Sequence, residues 1–130
     1  MPDKSVAEKL WVKAGFTVCL CHAPENYVAV LGKLPEGVTV VNELANPVDL
    51  IQVFVDNRQA LEEQLPKIKP LLSPNTILWV TYHKGTSKIK TDINRDTINA
   101  YAQTLGLVGI AMISVNDDWS ALRLKIASRV

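Results

Sequence analysis

The sequence predicts an α/β fold, a three-layer sandwich in which helices cover both faces of one mixed six-stranded sheet. Strand-sized apolar segments alternate with helical patterns along most of the chain, and this alternation is typical of such layers. The segment Val48–Val55 is apolar at nearly every position, as expected for a parallel strand covered on both faces. Near the end, the short turn Asn116–Asp118 joins two strands, which a turn of this length makes antiparallel. These patterns predict the strand order 2-1-3-4-6-5, with strand six antiparallel.

The first half of the chain is predicted to contain an amphipathic lead, three strands and one helix. The lead runs from Ser5 to Val12 and ends near Gly15. The helix begins at Pro24, a favoured first-turn residue, and ends at Gly32. The strands are expected at Phe16–Cys21, Val38–Val41 and Val48–Val55.

The second half alternates helices and strands before the closing hairpin. Asn57 is expected to cap a helix that Pro66 and Pro70 kink or split into two pieces. Its core face is formed by residues spaced by four, three and four: Leu61, Leu65, Ile68 and Leu72. Thr91 or Asp92 is expected to cap the next helix. The remaining strands are predicted at Thr76–Tyr82, Leu107–Val115 and Trp119–Ile126, with a polar loop, His83–Lys90, after strand four.

Length and composition narrow the classes of function. A chain of 130 residues has room for one domain, and its 48% of hydrophobic residues supply a core that needs no disulfide or metal. The formal net charge of +1 argues against a nucleic-acid partner, because such domains carry a marked basic surface. The N-terminus lacks the apolar region of an export signal, and no apolar run is long enough to span a membrane. A cytoplasmic protein without a membrane partner is therefore expected.

The turn after the first strand lacks glycine, although phosphates are often bound at this place in folds of this class. Glycines allow the backbone to approach a phosphate and to direct N–H groups at it. Here the turn contains Cys21, His22, Ala23 and Pro24, and Pro24 has no N–H to donate. We therefore expect bulky side chains to seal this place, and we predict no bound cofactor.

Several motifs resemble known families. Leu71–Val80 is similar to the segment that leads into a central strand of class I methyltransferases. Two motifs resemble the small bacterial family named domain of unknown function 3052: Trp79-Val-Thr-x-x-Lys84-Gly85 and Asp118-Trp-Ser-x-x-Arg123. This resemblance covers most of the chain and implies a shortened, Rossmann-type, methyltransferase-like domain in the bacterial cytoplasm. The family brings no established activity with it.

The chain also departs from methyltransferases. Their first loop, an acidic residue followed by a Gly-x-Gly run, is absent here. In that fold an acidic residue at the end of the second strand holds the cofactor ribose. Glu43 can match this acid or, alternatively, is an ordinary solvated surface residue. Because the glycine turn carries the binding mechanism, the resemblance does not lead us to expect S-adenosylmethionine.

The first candidate site lies at the carboxyl ends of the strands, where open α/β sheets bind ligands. With the predicted order, the winding direction reverses between strands one and three. The loops there carry polar residues: His22, Glu25 and Asn26 after strand one, and Asp56, Asn57 and Arg58 after strand three. These residues are ligand contacts or, alternatively, ordinary caps of two helix N-termini.

The second candidate is the basic loop after strand four. Its cations are His83, Lys84, Lys88 and Lys90, with Arg95 in the following helix, and Gly85, Thr86 and Ser87 lie between them. Several cations at a helix N-terminus can bind a phosphate or a carboxylate. Asp92 and Asp96 can instead neutralise these charges, in which case the segment is a solvated loop.

The third candidate is Trp119 in the closing hairpin. Trp119 and Arg123 share one face of the last strand, so Arg123 is expected to stack on Trp119 or to pair with a carboxylate. An exposed Trp119 would instead mark a binding surface. Cys19 and Cys21 are expected to be buried strand residues, and no metal site is predicted, because His22 points away from Cys21 on an extended chain.

Two functions are compatible with these patterns. The first is a non-catalytic, methyltransferase-like domain that binds an anionic small molecule or a protein partner. The second is a reduced transferase with an unconventional pocket at the strand ends, in which His83 or Lys84 acts as acid, base or anion clamp. Self-association through an edge strand or through Trp11 stays open as well.

Overall fold

One mixed sheet of six strands forms the centre of the computed structural model, which describes residues 5–25, 27–42, 48–72, 75–84, 92–116 and 118–127. The strands are β1 (Thr17–Cys21), β2 (Thr39–Val41), β3 (Leu50–Val55), β4 (Ile77–His83), β5 (Leu107–Ser114) and β6 (Trp119–Ile126). Their order is β2-β1-β3-β4-β6-β5. β1 to β4 are parallel to one another, and β6 is antiparallel to both of its neighbours. The predicted fold class and strand order are confirmed.

Helices cover both faces of the sheet. Within the described ranges they are α1 (Val6–Lys9), α2 (Tyr27–Leu31), α3 (Arg58–Ile68) and α4 (Arg95–Thr104). In β1, Val18 and Leu20 pack in one core with buried residues of α1 and α2. Cys19 and Cys21 pack in the other core with buried residues of α3 and α4. Successive side chains of a strand point to opposite faces, so each half of the alternating pattern belongs to one helical layer.

Polar side chains begin three of the helices. Ser5 forms a capping box with Glu8 at the start of α1. Asn57 caps α3 as predicted, since its Oδ1 accepts a hydrogen bond from the Ala60 N–H at 2.9 Å. The cap of α4 differs from the prediction.

Asn94, rather than Asp92, caps α4, because its Oδ1 accepts from the Thr97 N–H at 2.9 Å. The Asp92 carboxylate instead accepts a hydrogen bond from the backbone N–H of Arg58 at 2.8 Å, at the start of α3. Asp92 therefore links the two helices on this face of the sheet. Thr91, the other predicted cap, lies outside the described residues.

Pro66 lies inside α3 without splitting it, so of the two predicted effects, a kink or a division into two pieces, the division does not occur at Pro66. A proline cannot donate to the carbonyl four residues earlier, here that of Glu62. The Tyr101 hydroxyl, from α4, donates to that carbonyl at 3.5 Å. Only at Pro70 does the helix change, into a short 3-10 turn over Lys69–Leu71.

Several element boundaries also differ from the predicted ones, including the starts of α2 and β3. α2 begins at Tyr27 rather than Pro24, and the Tyr27 N–H donates to the Pro24 carbonyl at 3.1 Å in the turn before it. β3 begins at Leu50 rather than Val48, and the carboxylate of the preceding Asp49 accepts a hydrogen bond from the Thr17 N–H at 2.8 Å. Among the described residues, no helix combines the length and the apolar character that crossing a membrane requires.

Candidate functional site

The carboxyl ends of the four parallel strands and the beginning of β6 lie on the same side of the sheet, at the ends of its strands. His22 follows β1, Asn42 follows β2, and Asp56 follows β3. β4 ends in His83, whose partner on the neighbouring β6 is Trp119. Residues that are far apart in the sequence therefore meet at the carboxyl ends of the strands.

An open depression of about 520 Å³ lies beside the ends of β1 and β2. Apolar and polar side chains form its wall: Leu20, His22, Ala23, Pro24, Tyr27, Val28 and Asn42. The turn without glycine thus leaves space, which corrects the expectation that its side chains seal this place. His22 has a φ of 60°, a left-handed conformation that is uncommon outside glycine. This conformation turns the chain sharply out of the strand, as a glycine usually does.

A buried polar network holds Tyr27, the most buried polar side chain of the depression wall. Its phenol oxygen accepts a hydrogen bond from Gln52 Nε2 at 2.8 Å. The same amide donates to Thr81 Oγ1 at 2.9 Å, and both Gln52 and Thr81 are fully buried. Burial raises the pKa of Tyr27 to about 12, against the opposing effect of the Gln52 hydrogen bond. The phenol is therefore neutral at pH 7 and fixed in position.

A row of ring contacts runs from Tyr27 to His83 on the α1/α2 face of the sheet. Tyr27 and Phe54 meet edge to face with centroids 4.6 Å apart, and Phe54 and Trp119 do so at 5.2 Å. Trp119 then stacks on His83 with centroids 4.0 Å apart and an interplanar angle of 29°. These rings form a continuous wall from the depression to the end of β4.

His83 is buried at the end of β4 and is not part of a solvated loop. Its side chain is 3% exposed, whereas that of Asp56 is 74% exposed, and Nε2 lies 2.9 Å from Asp56 Oδ1. A carboxylate can only accept, so Nε2 donates this hydrogen bond, and Nδ1 is the acceptor of the ring when the imidazole is neutral. Nδ1 is buried and has no hydrogen-bond partner among the described residues.

The structure thus joins three residues that the sequence analysis assigned to separate sites. Asp56 belonged to the crevice after strand three, His83 to the basic loop, and Trp119 to the hairpin. His83 was expected in a loop because strand four was predicted to end at Tyr82, and the extra strand residue directs it to the α1/α2 face. The pairing with β6 that sets it against Trp119 has no signal in the local sequence.

Other predicted site residues are occupied by structural contacts. Arg58 forms an ion pair with Glu62 one helical turn further, with 2.7 Å between Nε and Oε2. The hydrogen bond from this guanidinium to Glu62 raises the pKa of Arg58. Glu25 is exposed in the turn before α2, and Asn26 lies outside the described residues.

The basic loop is described only in part, since residues 85–91 lie outside the described ranges. Lys84 Nζ donates to Ser114 Oγ at 2.6 Å, and its backbone N–H donates to the Asp118 carbonyl at 2.8 Å. The Nε atom of Arg95 lies 3.6 Å from Oδ1 of Asp96. Both of these α4 residues line a second, smaller depression of about 230 Å³ beside β5. Lys84 and Arg95 therefore have different immediate partners.

Arg123 stacks on Trp11 rather than on Trp119, which corrects the prediction. Its guanidinium carbon lies 5.2 Å from the centroid of the Trp11 ring. Trp119 and Arg123 do share a face of β6, as the alternation predicts, but two aromatic side chains from other elements, Phe54 and His83, already occupy the Trp119 ring.

Cys19 and Cys21 are buried thiols that form no disulfide, and their sulfur atoms are 3.5 Å apart. Burial raises the pKa of Cys21 to about 12, with the neighbouring thiol adding to the effect. Within the described part of the chain, no three His, Cys, Asp or Glu side chains are grouped so that they could hold a metal ion.

Comparison with known proteins finds similar structures but no similar sequence. No family model matches the chain, and no curated protein does. The structure is similar to a SAM dependent methyltransferase from Aquifex aeolicus, with a TM-score of 0.65, 14% identity, and coverage of 94% of this chain and 88% of that one. It is also similar to the DhpI–SAH complex, with a TM-score of 0.63, 9% identity, and coverage of 96% and 84%.

A third similar structure is an rRNA methylase from Streptococcus thermophilus, with a TM-score of 0.58, 10% identity, and coverage of 98% of this chain and 99% of that one. At such low identities the likeness concerns the fold alone. The chain has a Rossmann-like, methyltransferase-like α/β fold.

Proposed function

We propose that this chain is a methyltransferase-like domain that binds an anionic small molecule in the depression at the ends of β1 and β2, without methyl transfer. The observation that carries the proposal is the open space of about 520 Å³ at this place. Its volume is in the range of small-molecule sites. Its position, at the carboxyl ends of parallel strands, is the usual ligand site of open α/β sheets. The DhpI structure, a neighbour in fold, is a complex with SAH.

The lining residues favour an anionic or neutral ligand over a cationic one. Among the described side chains of the wall, His22 is the only one that can become cationic, and none is a carboxylate. Asn42 adds an amide, while Leu20, Pro24 and Val28 offer apolar contact. Tyr27 is held by Gln52 at 2.8 Å, so part of the wall is ordered before a ligand arrives, which lowers the entropic cost of binding.

Two features favour binding without catalysis. The first turn has no glycine to bring backbone N–H groups against a cofactor, and Pro24 has no N–H at all. His83, the best-placed imidazole for proton transfer, is 3% exposed behind Trp119. The proposal includes membership of the domain of unknown function 3052 family and the bacterial cytoplasmic setting that this membership implies.

Calorimetric titration with four probes tests the proposal: S-adenosylmethionine, S-adenosylhomocysteine, adenosine and adenosine monophosphate. We expect the monophosphate to bind more tightly than adenosine, because the phosphate can accept a hydrogen bond from His22. His22→Ala should then weaken the monophosphate by about 10-fold, the equivalent of one charge-assisted hydrogen bond.

Two further variants make the test specific. Lys33→Ala also removes a positive charge near α2, but Lys33 does not line the depression. This variant should therefore bind adenosine monophosphate as tightly as the wild type. Val28→Trp places an indole into the depression and should abolish binding. Equal effects of His22→Ala and Lys33→Ala, or unchanged binding in Val28→Trp, would show that the ligand binds elsewhere. Absence of binding by all four probes would contradict the proposed ligand class.

A second candidate function, a reduced transferase, is favoured by the His83–Asp56 pair at 2.9 Å. Asp56 fixes the proton on Nε2, so Nδ1 can accept a proton from a substrate once the Trp119 ring moves aside. A transferase would convert S-adenosylmethionine to S-adenosylhomocysteine in the presence of small phenols, thiols or amines. Asp56→Asn would then lower the turnover. Tight binding of S-adenosylmethionine with no product formed would favour the binding domain instead.

A further inference from the structure

β5 lies at the edge of the sheet and has an unusual composition for an exposed edge. Among the described residues it pairs only with β6. Its eight residues, Leu107–Ser114, contain no charged residue and no proline. Edge strands are normally protected by such residues, because their free N–H and C=O groups can pair with another strand. The opposite edge, β2, has only three residues.

Exposed apolar side chains border this edge on both faces of the sheet. Met112, on the α3/α4 face, is 48% exposed, and Ile110 is 45% exposed. On the α1/α2 face, Trp11 is 54% exposed over Arg123, whose strand partner on β5 is Ala111. Trp11 has a φ of 70°, which is rare for a bulky residue. An apolar border of this kind on both sides of a free edge indicates an interaction surface.

We propose that β5 pairs with β5 of a second copy of this chain, in an antiparallel arrangement that extends the sheet across a two-fold axis. With the axis at Met112, Met112 faces its own counterpart, and Ala111 pairs with the partner's Ile113. An uncharged strand can pair with itself without bringing like charges together, so β5 is complementary to itself.

The charges beside the strand also fit a second copy. Arg95 and Asp96 lie next to Met112 in the depression beside β5, and their side chains are 58% and 88% exposed. A two-fold axis at Met112 brings the N-terminal ends of the two α4 helices together. Arg95 of each copy then meets the partner's Asp96, so that opposite charges face each other twice.

An irregularity in β5 limits the length of the new ladder. The pairing register with β6 shifts between Gly109 and Ala111, and the Gly109 N–H donates to Asn99 Oδ1 at 2.9 Å. The edge before Ala111 is therefore partly occupied. At the other end, the Ser114 carbonyl accepts a hydrogen bond from Lys9 Nζ at 3.3 Å, so the segment Ala111–Ile113 remains for the partner. Because this segment is short, we expect a reversible dimer with a Kd of about 1–100 μM.

Sedimentation velocity over a concentration series tests the proposal. The wild type should change from monomer to dimer within the stated range. Met112→Lys places two like charges opposite each other and should weaken the dimer by at least about 10-fold. Met112 also accepts a hydrogen bond from the Tyr82 hydroxyl at 3.2 Å. Met112→Leu removes that bond but keeps the apolar surface, so it should dimerise like the wild type.

Val30→Lys is a matched control, since Val30 is an exposed apolar residue on α2, away from β5, and should leave dimerisation unchanged. Met112→Cys supplies a second measurement: mild oxidation should link two copies through the two-fold axis, and Val30→Cys should not form this link. A wild type that stays monomeric up to about 1 mM overturns the proposal. A dimer that survives Met112→Lys overturns it as well. This inference does not depend on the ligand-binding proposal.

Discussion

The hydrogen bond between Tyr27 and Gln52 should be worth far more than the comparable bond of Tyr82, although Tyr→Phe removes the same single oxygen from both. Tyr27→Phe keeps the ring and its 4.6 Å contact with Phe54. It leaves one N–H of Gln52 Nε2 without the acceptor that lies at 2.8 Å. Gln52 is fully buried and its Oε1 already has no partner among the described residues, so the variant leaves a second polar group of the same amide unpaired.

The size of the effect follows from what is left unpaired. Stranding a buried neutral donor costs about 1–3 kcal/mol, and we expect Tyr27→Phe to lower the free energy of unfolding by about 1–2 kcal/mol. The Tyr82 hydroxyl donates to the sulfur of Met112, a weak acceptor on a half-exposed side chain. Tyr82→Phe leaves no buried donor unpaired, so its cost should be below about 0.5 kcal/mol.

Urea unfolding followed by circular dichroism measures both variants under one set of conditions. With a slope of about 1–3 kcal/mol per molar urea, Tyr27→Phe should shift the midpoint downward by about 0.5–1 M. The slope should not change, because neither variant alters the surface exposed on unfolding. Equal midpoints for the two variants, or a larger shift for Tyr82→Phe, would show that the Gln52 network does not hold Tyr27 as described.

Three further predictions concern the pH dependence, the thiols and the helix caps. Burial raises the pKa of Tyr27 from 10.0 to about 12, so the unfolded chain loses this proton at a lower pH than the folded chain does. The free energy of unfolding should therefore fall between pH 10 and about 12, and it should fall less steeply in Tyr27→Phe. In native protein, Cys19 and Cys21 should react with a thiol reagent at least about 100-fold more slowly than in urea, because both are buried and burial favours the unreactive thiol; fast native labelling would refute this burial. Asn57→Ala and Asn94→Ala should each cost about 1 kcal/mol in urea unfolding, while Asn57→Asp keeps a cap and should cost less than about half of that; an equal loss in Asn57→Asp would contradict the capping role.

The elements of the fold that the sequence predicted correctly are those defined by the burial of apolar side chains. The apolar run of β3, the spacing of Leu61, Leu65 and Ile68 in α3, and the short turn before β6 are each recorded within a few neighbouring residues. Burial of a strand or helix face is a local choice between water and protein, so the sequence pattern was enough to predict these elements. The sheet order then followed from the rules for connecting successive elements. The Asn57 cap is local for the same reason, because donor and acceptor are three residues apart.

Pro66 shows that a local rule does not by itself decide whether a helix continues past a proline. Its effect on α3 was compensated by Tyr101 of another helix, which supplies a donor to the Glu62 carbonyl. No pattern around Pro66 contains that donor. The Arg123 side chain is a similar case, since Trp11 reaches it from the other end of the chain.

By itself, the sequence determined the class of fold and the burial of its two cysteines, because these follow from the periodicity of apolar residues. It also determined the order of the strands, because the connections between successive strands and helices allow few arrangements. Only the tertiary structure decided that Asp56, His83 and Trp119 meet, and that the turn at His22 leaves an open depression rather than a sealed one. Contacts between strand ends depend on register, and the shape of a cavity depends on how several loops leave the sheet. Both are set by distances between segments far apart in the chain, which no local pattern records.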